Sequence, residues 1–289
     1  MNEHLRPGWT LGRRTVDGLA LLVVEAGPQD GFPLLLLHGS PDFWWGWRRQ
    51  IDALAKAGYR VIVPNLRGYA GSDAPAGVAA YHLDRLAADV VGLADACGVG
   101  RFGLVAHDWG AVIGWRVAAL HPDRVGRAVL MDGPHPDHFA DYAASHPSQA
   151  LKSAYVAMFQ PPWLPEAMLS DFGFAAMRSS LLASARPGTF SEADLAAYAK
   201  AWAEPGALTA MLNYYRAVRL RRPERPPAAI IPPVLVLWGR DDAFLEQGLA
   251  EAALKTCDDG RLLVVPDAGH WPHLEQPAAV NAAILDFLA

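Results

Sequence analysis

The sequence predicts an α/β protein: a mostly parallel sheet of eight strands, helices on both faces, and one helical insertion. Three observations carry that reading. Short apolar runs alternate with longer helical patterns over most of the 289 residues, which is the signature of strand–helix–strand units. Several of these runs are apolar throughout, as expected of strands buried on both faces. The alternation fails between Pro134 and Pro227 and resumes at Pro232. A helical segment inserted into one α/β unit explains this better than a second independent domain.

The elements follow in chain order. Segments 9–14 and 19–25 flank Val16-Asp17-Gly18, and Asp-Gly is a preferred pair for a tight hairpin turn. Further strands are expected at 33–38, 59–64, 102–107, 127–131, 234–238 and 262–265. Amphipathic helices are expected at 47–57, 83–97 and 111–121. The stretch 134–227 holds aromatic, Pro-punctuated helical segments and no convincing strand. The expected division is therefore a core of 1–133 and 228–289, with a cap of 134–227.

Composition narrows the class of protein. The chain is 52% hydrophobic and 19% charged, which allows a sizeable core and excludes a disordered or fibrous chain. A net charge of -5 gives no basic footprint for nucleic acid or an anionic membrane. The basic cluster Arg219, Arg221, Arg222 and Arg225 is interrupted by Pro223, Pro226 and Pro227 and reads as a solvated linker. Cys97 and Cys257 are too few for a disulfide framework, which fits reduced thiols in the cytoplasm. Residues 1–8 lack the apolar core of a secretory signal, and no apolar run reaches the roughly 18 residues of a membrane span. The expectation is a soluble cytoplasmic protein, monomer or homodimer, without metal or organic cofactor.

The segment Gly103-Leu-Val-Ala-His-Asp-Trp-Gly-Ala-Val-Ile-Gly114 carries the most chemistry. An apolar strand ends at His107, Asp108 protrudes, and a helix begins at once. Ala106 and Gly110 flank that apex, as small residues must where a strand turns sharply into a helix. The G-x-S-x-G elbow has this shape with serine at its apex. An aspartate there needs no base to become nucleophilic, because it is ionised at neutral pH. It can attack an sp³ carbon and leave an alkyl ester, while the N–H groups of the helix start favour its charge. An aspartate before a helix ordinarily only caps it; the small flanking residues and the partners below point to chemistry.

Those partners lie at other strand ends. His38-Gly39-Ser40-Pro41 follows the strand at 33–38, where the Ser40 and Trp109 N–H groups could form an oxyanion hole. Leu235-Val-Leu-Trp-Gly-Arg-Asp-Asp242 ends in two carboxylates. Asp242 is the favoured orienting acid, with Asp241 the second choice. Leu262-Leu-Val-Val-Pro-Asp-Ala-Gly-His270 presents a histidine able to activate water. His273, the nearest competitor, reads as a surface or packing residue. The chain order nucleophile, acid, histidine is that of hydrolases with this elbow.

With these motifs in place, the chain resembles α/β-hydrolases of the epoxide hydrolase and haloalkane dehalogenase group, from the Trp9 region to the C-terminus. His38-Gly-Ser-Pro-Asp-Phe-Trp-Trp-Gly-Trp-Arg-Arg-Gln50 resembles the epoxide hydrolase pattern HGxPE followed by WxWRxQ. Asn65-Leu-Arg-Gly-Tyr-Ala-Gly-Ser-Asp73 resembles the loop before the elbow. The resemblance implies two cap tyrosines that stabilise the alkoxide as an epoxide opens. Its segments map them to Tyr155 and Tyr215, with the adjacent Tyr214 facing elsewhere. The substrate-binding set it implies is His38, Phe43, Trp109, Tyr155 and Tyr215, around a small-molecule epoxide. The departures are Asp42, where many relatives have Glu, and Ser40 in place of an aromatic residue. Ala154 and Ala157, smaller than usual beside Tyr155, predict a roomier pocket.

Two other readings stay open. A haloalkane dehalogenase would need two N–H donors for the halide: Trp109, and one of Trp163 or Trp202. A fluoroacetate dehalogenase would want arginine where Trp109 stands. From a different class, a non-catalytic ligand-binding relative could keep the fold without turnover; turnover of styrene oxide, lost in Asp108→Ala, separates it from an enzyme.

Overall fold

The computed structural model describes residues 2–220 and 229–289. Its described residues form one eight-stranded sheet of order β1-β2-β4-β3-β5-β6-β7-β8. Strands β1 (Thr10–Val16) and β2 (Leu19–Ala26) make an antiparallel hairpin. Asp17 and Gly18 both take positive φ in its turn, as the Asp-Gly pair predicts. β2 pairs antiparallel with β4 (Arg60–Pro64). The remaining pairings are parallel and run through β3 (Pro33–Leu37), β5 (Phe102–His107), β6 (Val125–Met131), β7 (Val234–Gly239) and β8 (Gly260–Val265). Every expected strand is present, with ends displaced by at most two residues.

The reason for the unbroken apolar runs is plain in the burial. Leu34 to Leu37, Val61 to Val63 and Leu104 to Ala106 have no exposed surface. Each such aliphatic side chain contributes about 1.5–3 kcal/mol on burial. Strands enclosed in this way have no room for charge along their length. Polar function is confined to their C-terminal ends, the usual place for ligands in open parallel sheets.

Helices cover the sheet on both faces. α1 (Ile51–Lys56), α2 (Leu83–Ala96) and α3 (Trp109–Leu120) follow β3, β4 and β5; a 3-10 turn, Trp44–Arg49, precedes α1. Between β6 and β7 the chain inserts α4 (Phe139–Ser145), α5 (Pro147–Lys152), α6 (Tyr155–Met158), α7 (Leu164–Ala183), α8 (Glu192–Trp202) and α9 (Ala207–Ala217). This is the helical cap. α7 is broken at residues 171–174, where Phe172, Gly173 and Phe174 are left-handed. The core closes with α10 (Gly248–Leu254), α11 (Pro272–Glu275) and α12 (Pro277–Leu288). α2 packs on α3, and α1 on α12. Arg221, Arg222, Arg225 and their prolines, with the expected boundary at 227, lie outside the described residues. No described helix is long and apolar enough to cross a membrane.

A polar seam joins cap and core. Tyr198 of α8 donates to Asp42 Oδ1 at 2.8 Å, and the Trp202 indole donates to the Pro41 carbonyl at 2.6 Å. Asp194, at the start of α8, accepts from the Trp45 indole and pairs with Arg48, both at 3.0 Å. The aromatic-rich loop after β3 is therefore a seat for the cap.

Candidate active site

Asp108 stands at the apex between β5 and α3 with φ 51° and ψ -120°, a strained backbone that non-glycine residues adopt mainly at functional turns. A Cβ on Gly110 would overlap the Leu37 carbonyl, so the elbow needs glycine there. The Asp108 side chain makes no capping bond to α3, so it is not a helix cap. Instead the Ser40 N–H donates to Asp108 Oδ1 at 2.6 Å, and the Trp109 N–H also reaches the carboxyl. Burial pushes this carboxyl above its ordinary value, while His270 and these N–H groups pull it back. His270 and the two N–H donors thus offset part of the desolvation without reversing it.

His270 lies on the loop after β8, buried, with Nε2 3.7 Å from Asp108 Oδ2. That gap is too long for a direct hydrogen bond. Its Nδ1 meets Asp242 Oδ2 at 2.9 Å. Asp242 Oδ1 accepts from the N–H groups of Phe244 and Leu245 at 2.7 and 3.0 Å. Burial alone would lower the His270 value, but the Asp242 charge and hydrogen bond carry it above the ordinary histidine range. Asp242 is buried too, and His270 holds it below the usual carboxylate range. Asp241 is exposed and paired with Arg186; of the two carboxylates it is Asp242 that meets His270. His107 donates from Nε2 to the His270 carbonyl at 2.7 Å and fixes the loop from below. His273 is fully buried against Trp47 and His107; it is a packing residue.

Above the carboxylate, the cap brings Tyr155 and Tyr215 together, with ring centroids 6.0 Å apart. The Tyr215 hydroxyl is within hydrogen-bonding reach of Tyr155 and of the Trp109 indole. Burial, then Tyr215 for Tyr155 and Asp108 for both, holds these phenols above the ordinary tyrosine range. Both are protonated donors at neutral pH. Asp108 and the two tyrosines border two apolar lobes of about 390 and 210 Å³. The larger runs past Trp109, Val112 and Phe139, the smaller past Leu169, Met177 and Met211. Phe244 lines both.

Several sequence expectations are corrected here. His38 is fully buried; its Nδ1 meets the Gly39 carbonyl at 2.8 Å and its Nε2 accepts from the Leu66 N–H at 3.0 Å. Both ring nitrogens serve the loop, and His38 lines neither lobe. Phe43 packs edge-on against Trp44 and Tyr198 and lines neither lobe. Ala154 and Ala157 are exposed, so their small size does not enlarge the pocket. Tyr214, expected to face elsewhere, turns its hydroxyl to the Arg67 carbonyl at 2.8 Å, and its ring borders the larger lobe. Neither indole expected as a second halide donor is placed for it: Trp163 is 82% exposed, and the Trp202 N–H is spent on Pro41. The sequence reading missed Phe244 and Asp132. A carboxyl just past a strand's C-terminal end, in Met131-Asp132-Gly133, was the available signal for the latter.

The comparisons with known proteins agree with this geometry. The alpha/beta hydrolase fold family matches residues 33–277. The AB hydrolase superfamily protein YfhM of Bacillus subtilis is 40% identical, covering 94% of this chain and 95% of that protein. Human epoxide hydrolase 4 is 37% identical over 94% of this chain and 76% of its own length. The crystal structure of Bacillus megaterium epoxide hydrolase in complex with an inhibitor superposes with a TM-score of 0.87 at 28% identity, covering 96% and 99% of the two chains. With its fold, elbow and relatives in agreement, the chain belongs to the α/β-hydrolase fold family, among its epoxide hydrolase-like members.

Proposed function

We propose that this hydrolase opens an epoxide with water to give a vicinal diol, through an alkyl ester on Asp108. The observation that carries the reading is the facing pair of protonated phenols, Tyr155 and Tyr215, across the cavity from a carboxylate. Relatives named as epoxide hydrolases support it. Ser40 holds Oδ1 as the future ester carbonyl, which leaves Oδ2 to attack. Oδ2 forms the bond to a ring carbon as the C–O bond breaks, and a tyrosine gives its proton to the alkoxide. Water then adds to the ester carbon while His270 Nε2 takes its proton. The oxyanion on Oδ1 rests on the Ser40 and Trp109 N–H groups. Collapse expels the diol oxygen, which takes the imidazolium proton, and leaves Asp108 as the acid; the proton it kept from the water returns to the tyrosinate, which restores the Asp108 carboxylate and both neutral phenols. The two apolar lobes on either side of Asp108 suit an epoxide with an apolar substituent on each ring carbon.

Intact-protein mass spectrometry of His270→Gln with styrene oxide tests the ester. The expected result is an adduct on Asp108 equal in mass to the whole epoxide. An unmodified Asp108 in a variant that still consumes epoxide refutes the covalent route.

A further inference from the structure

Behind the His270–Asp242 pair stands a carboxyl that this mechanism does not use. Asp132 follows β6 directly, with a backbone φ of 41° and no exposed surface. Its N–H donates to the Leu237 carbonyl at 3.2 Å, and its Oδ1 accepts from the Gly239 N–H at 2.9 Å. These bonds clamp the ends of β6 and β7 together, three residues before Asp242. Its Oδ2 is sealed from solvent and meets no N–H donor among the described residues, and the Asp132 side chain stands within hydrogen-bonding range of the Asp242 carboxyl.

The two carboxyls have different partners. Asp242 already has three donors, from Phe244, Leu245 and His270. Asp132 has one. The other charged or titratable groups facing this spot are Glu275 from α11, Asp108 from the elbow, His270, and Lys152 from α5, whose Nζ donates to the Asp242 backbone carbonyl at 2.8 Å. Among the described residues Lys152 is bonded to that carbonyl and His270 to Asp242, and neither is paired with Asp132. A buried carboxyl oxygen without a donor is costly; one that carries a proton and donates it is satisfied.

We propose that Asp132 is a positioning residue: as the neutral acid it donates a hydrogen bond from Oδ2 to Asp242, and so fixes the carboxylate that holds His270. Burial and the neighbouring Asp242 charge keep its proton on, well above the ordinary carboxylate range. The chemistry resembles that of an amide. Asparagine would donate and accept in the same two directions.

This inference rests on the reading of His270 as the base of ester hydrolysis, so the test includes a readout that needs no substrate. In Asp132→Asn the His270 titration, followed by NMR of ¹⁵N-labelled imidazole in the free protein, stays within about 0.3 pH units of the parent. Single-turnover hydrolysis of the styrene oxide adduct stays within about threefold. In Asp132→Ala, hydrolysis of the adduct slows by roughly 10–100-fold, the usual cost of losing an orienting partner. Formation of the adduct is unchanged, and the His270 titration moves upward because the Asp242 charge is no longer shared. If Asp132→Asn lowers the His270 titration by about a unit, Asp132 was ionised and the proposal is wrong. It is equally wrong if both variants lose thermal stability with unmoved titration, which marks a structural role alone. A parent protein inert toward epoxides, with the NMR result as expected, would overturn the proposed function and leave this inference standing.

Discussion

The strand ends and the cap line the same two lobes from opposite regions of the molecule. From the core come charged groups: Asp108 and Asp242, which follow the fully buried strands β5 and β7, and His270, which follows the partly exposed edge strand β8. Each charge is met by N–H donors or by a paired side chain held to within a few tenths of an ångström of ideal distance. From the cap come neutral hydroxyls and apolar walls, Tyr155 on a short, partly exposed helix and Tyr215 on the largely buried α9. Tyr155 opens α6, a four-residue helix with no fully buried residue. A charge in a poorly solvated site requires fixed donors, and a sheet supplies them at every strand end. A phenol requires only burial and proximity, which a helix held by its neighbours can give.

Substitutions on the two sides should therefore fail differently. Asp108→Ala is expected to remove turnover altogether, by about 10⁴-fold or more, with a melting temperature equal to or above the parent's because a half-solvated buried carboxyl is gone. Measurable diol formation in that variant would break the contrast at its strongest point. Tyr155→Phe and Tyr215→Phe each remove one donor to the alkoxide and should cost roughly 10²–10³-fold. The loss should fall on adduct formation, with hydrolysis of the adduct unchanged. Stopped single turnovers check this; an equal loss in both half-reactions would place the tyrosines outside the ring-opening step.

The same contrast decides how much was legible in the sequence. The core site could be read because each of its residues follows an apolar strand and sits in a turn with its own small-residue requirement, as Gly110 shows. Asp242 could be favoured over Asp241, yet only the exposure of Asp241 and its bond to Arg186 separated them. The cap tyrosines were found through resemblance; no periodicity in α6 marks Tyr155. His38 and Phe43 were misplaced for a common reason. Both lie in a motif that surrounds the site, and sequence adjacency to Ser40 does not say which side chains turn inward. The kink in α7 had no sequence signal apart from Gly173; of its left-handed residues, Phe174 packs against Trp202 while Phe172 is exposed.

The cap's own scaffold gives a smaller effect. Arg216 of α9 is nearly buried and donates to the carbonyls of Phe159 and Pro161 at 3.0 and 2.7 Å. It also binds Glu166 through two nitrogens, at 2.7 and 2.9 Å. It thus ties the turn after α6, and with it Tyr155, to the helix that bears Tyr215. Lysine cannot make that fork. Arg216→Lys should slow adduct formation by about tenfold and leave hydrolysis of the adduct intact. Loss confined to hydrolysis would mean that the cap positions the base as well.

The seam between the regions should show itself through pH. Asp42 is buried beneath Tyr198, and burial pushes its carboxyl to about 7 despite donors from Phe43 and Tyr198. Its unfolded value is near 3.9, so between these values the folded chain binds the extra proton. The stability it contributes is whole below about pH 4 and is lost as pH rises through 7. Buried His38 and His273, lowered to about 4 and 3, act in the opposite sense, adding stability as pH rises toward 6.5 and nothing beyond. Asp42→Asn keeps the shape and both hydrogen bonds while removing one titration, so the difference from the parent isolates Asp42 from those histidines. Melting temperatures at pH 5 and pH 8 should show the variant gaining on the parent by several degrees over that interval. A constant difference across the range would mean that Asp42 does not change charge, and that the seam is held by a carboxylate throughout.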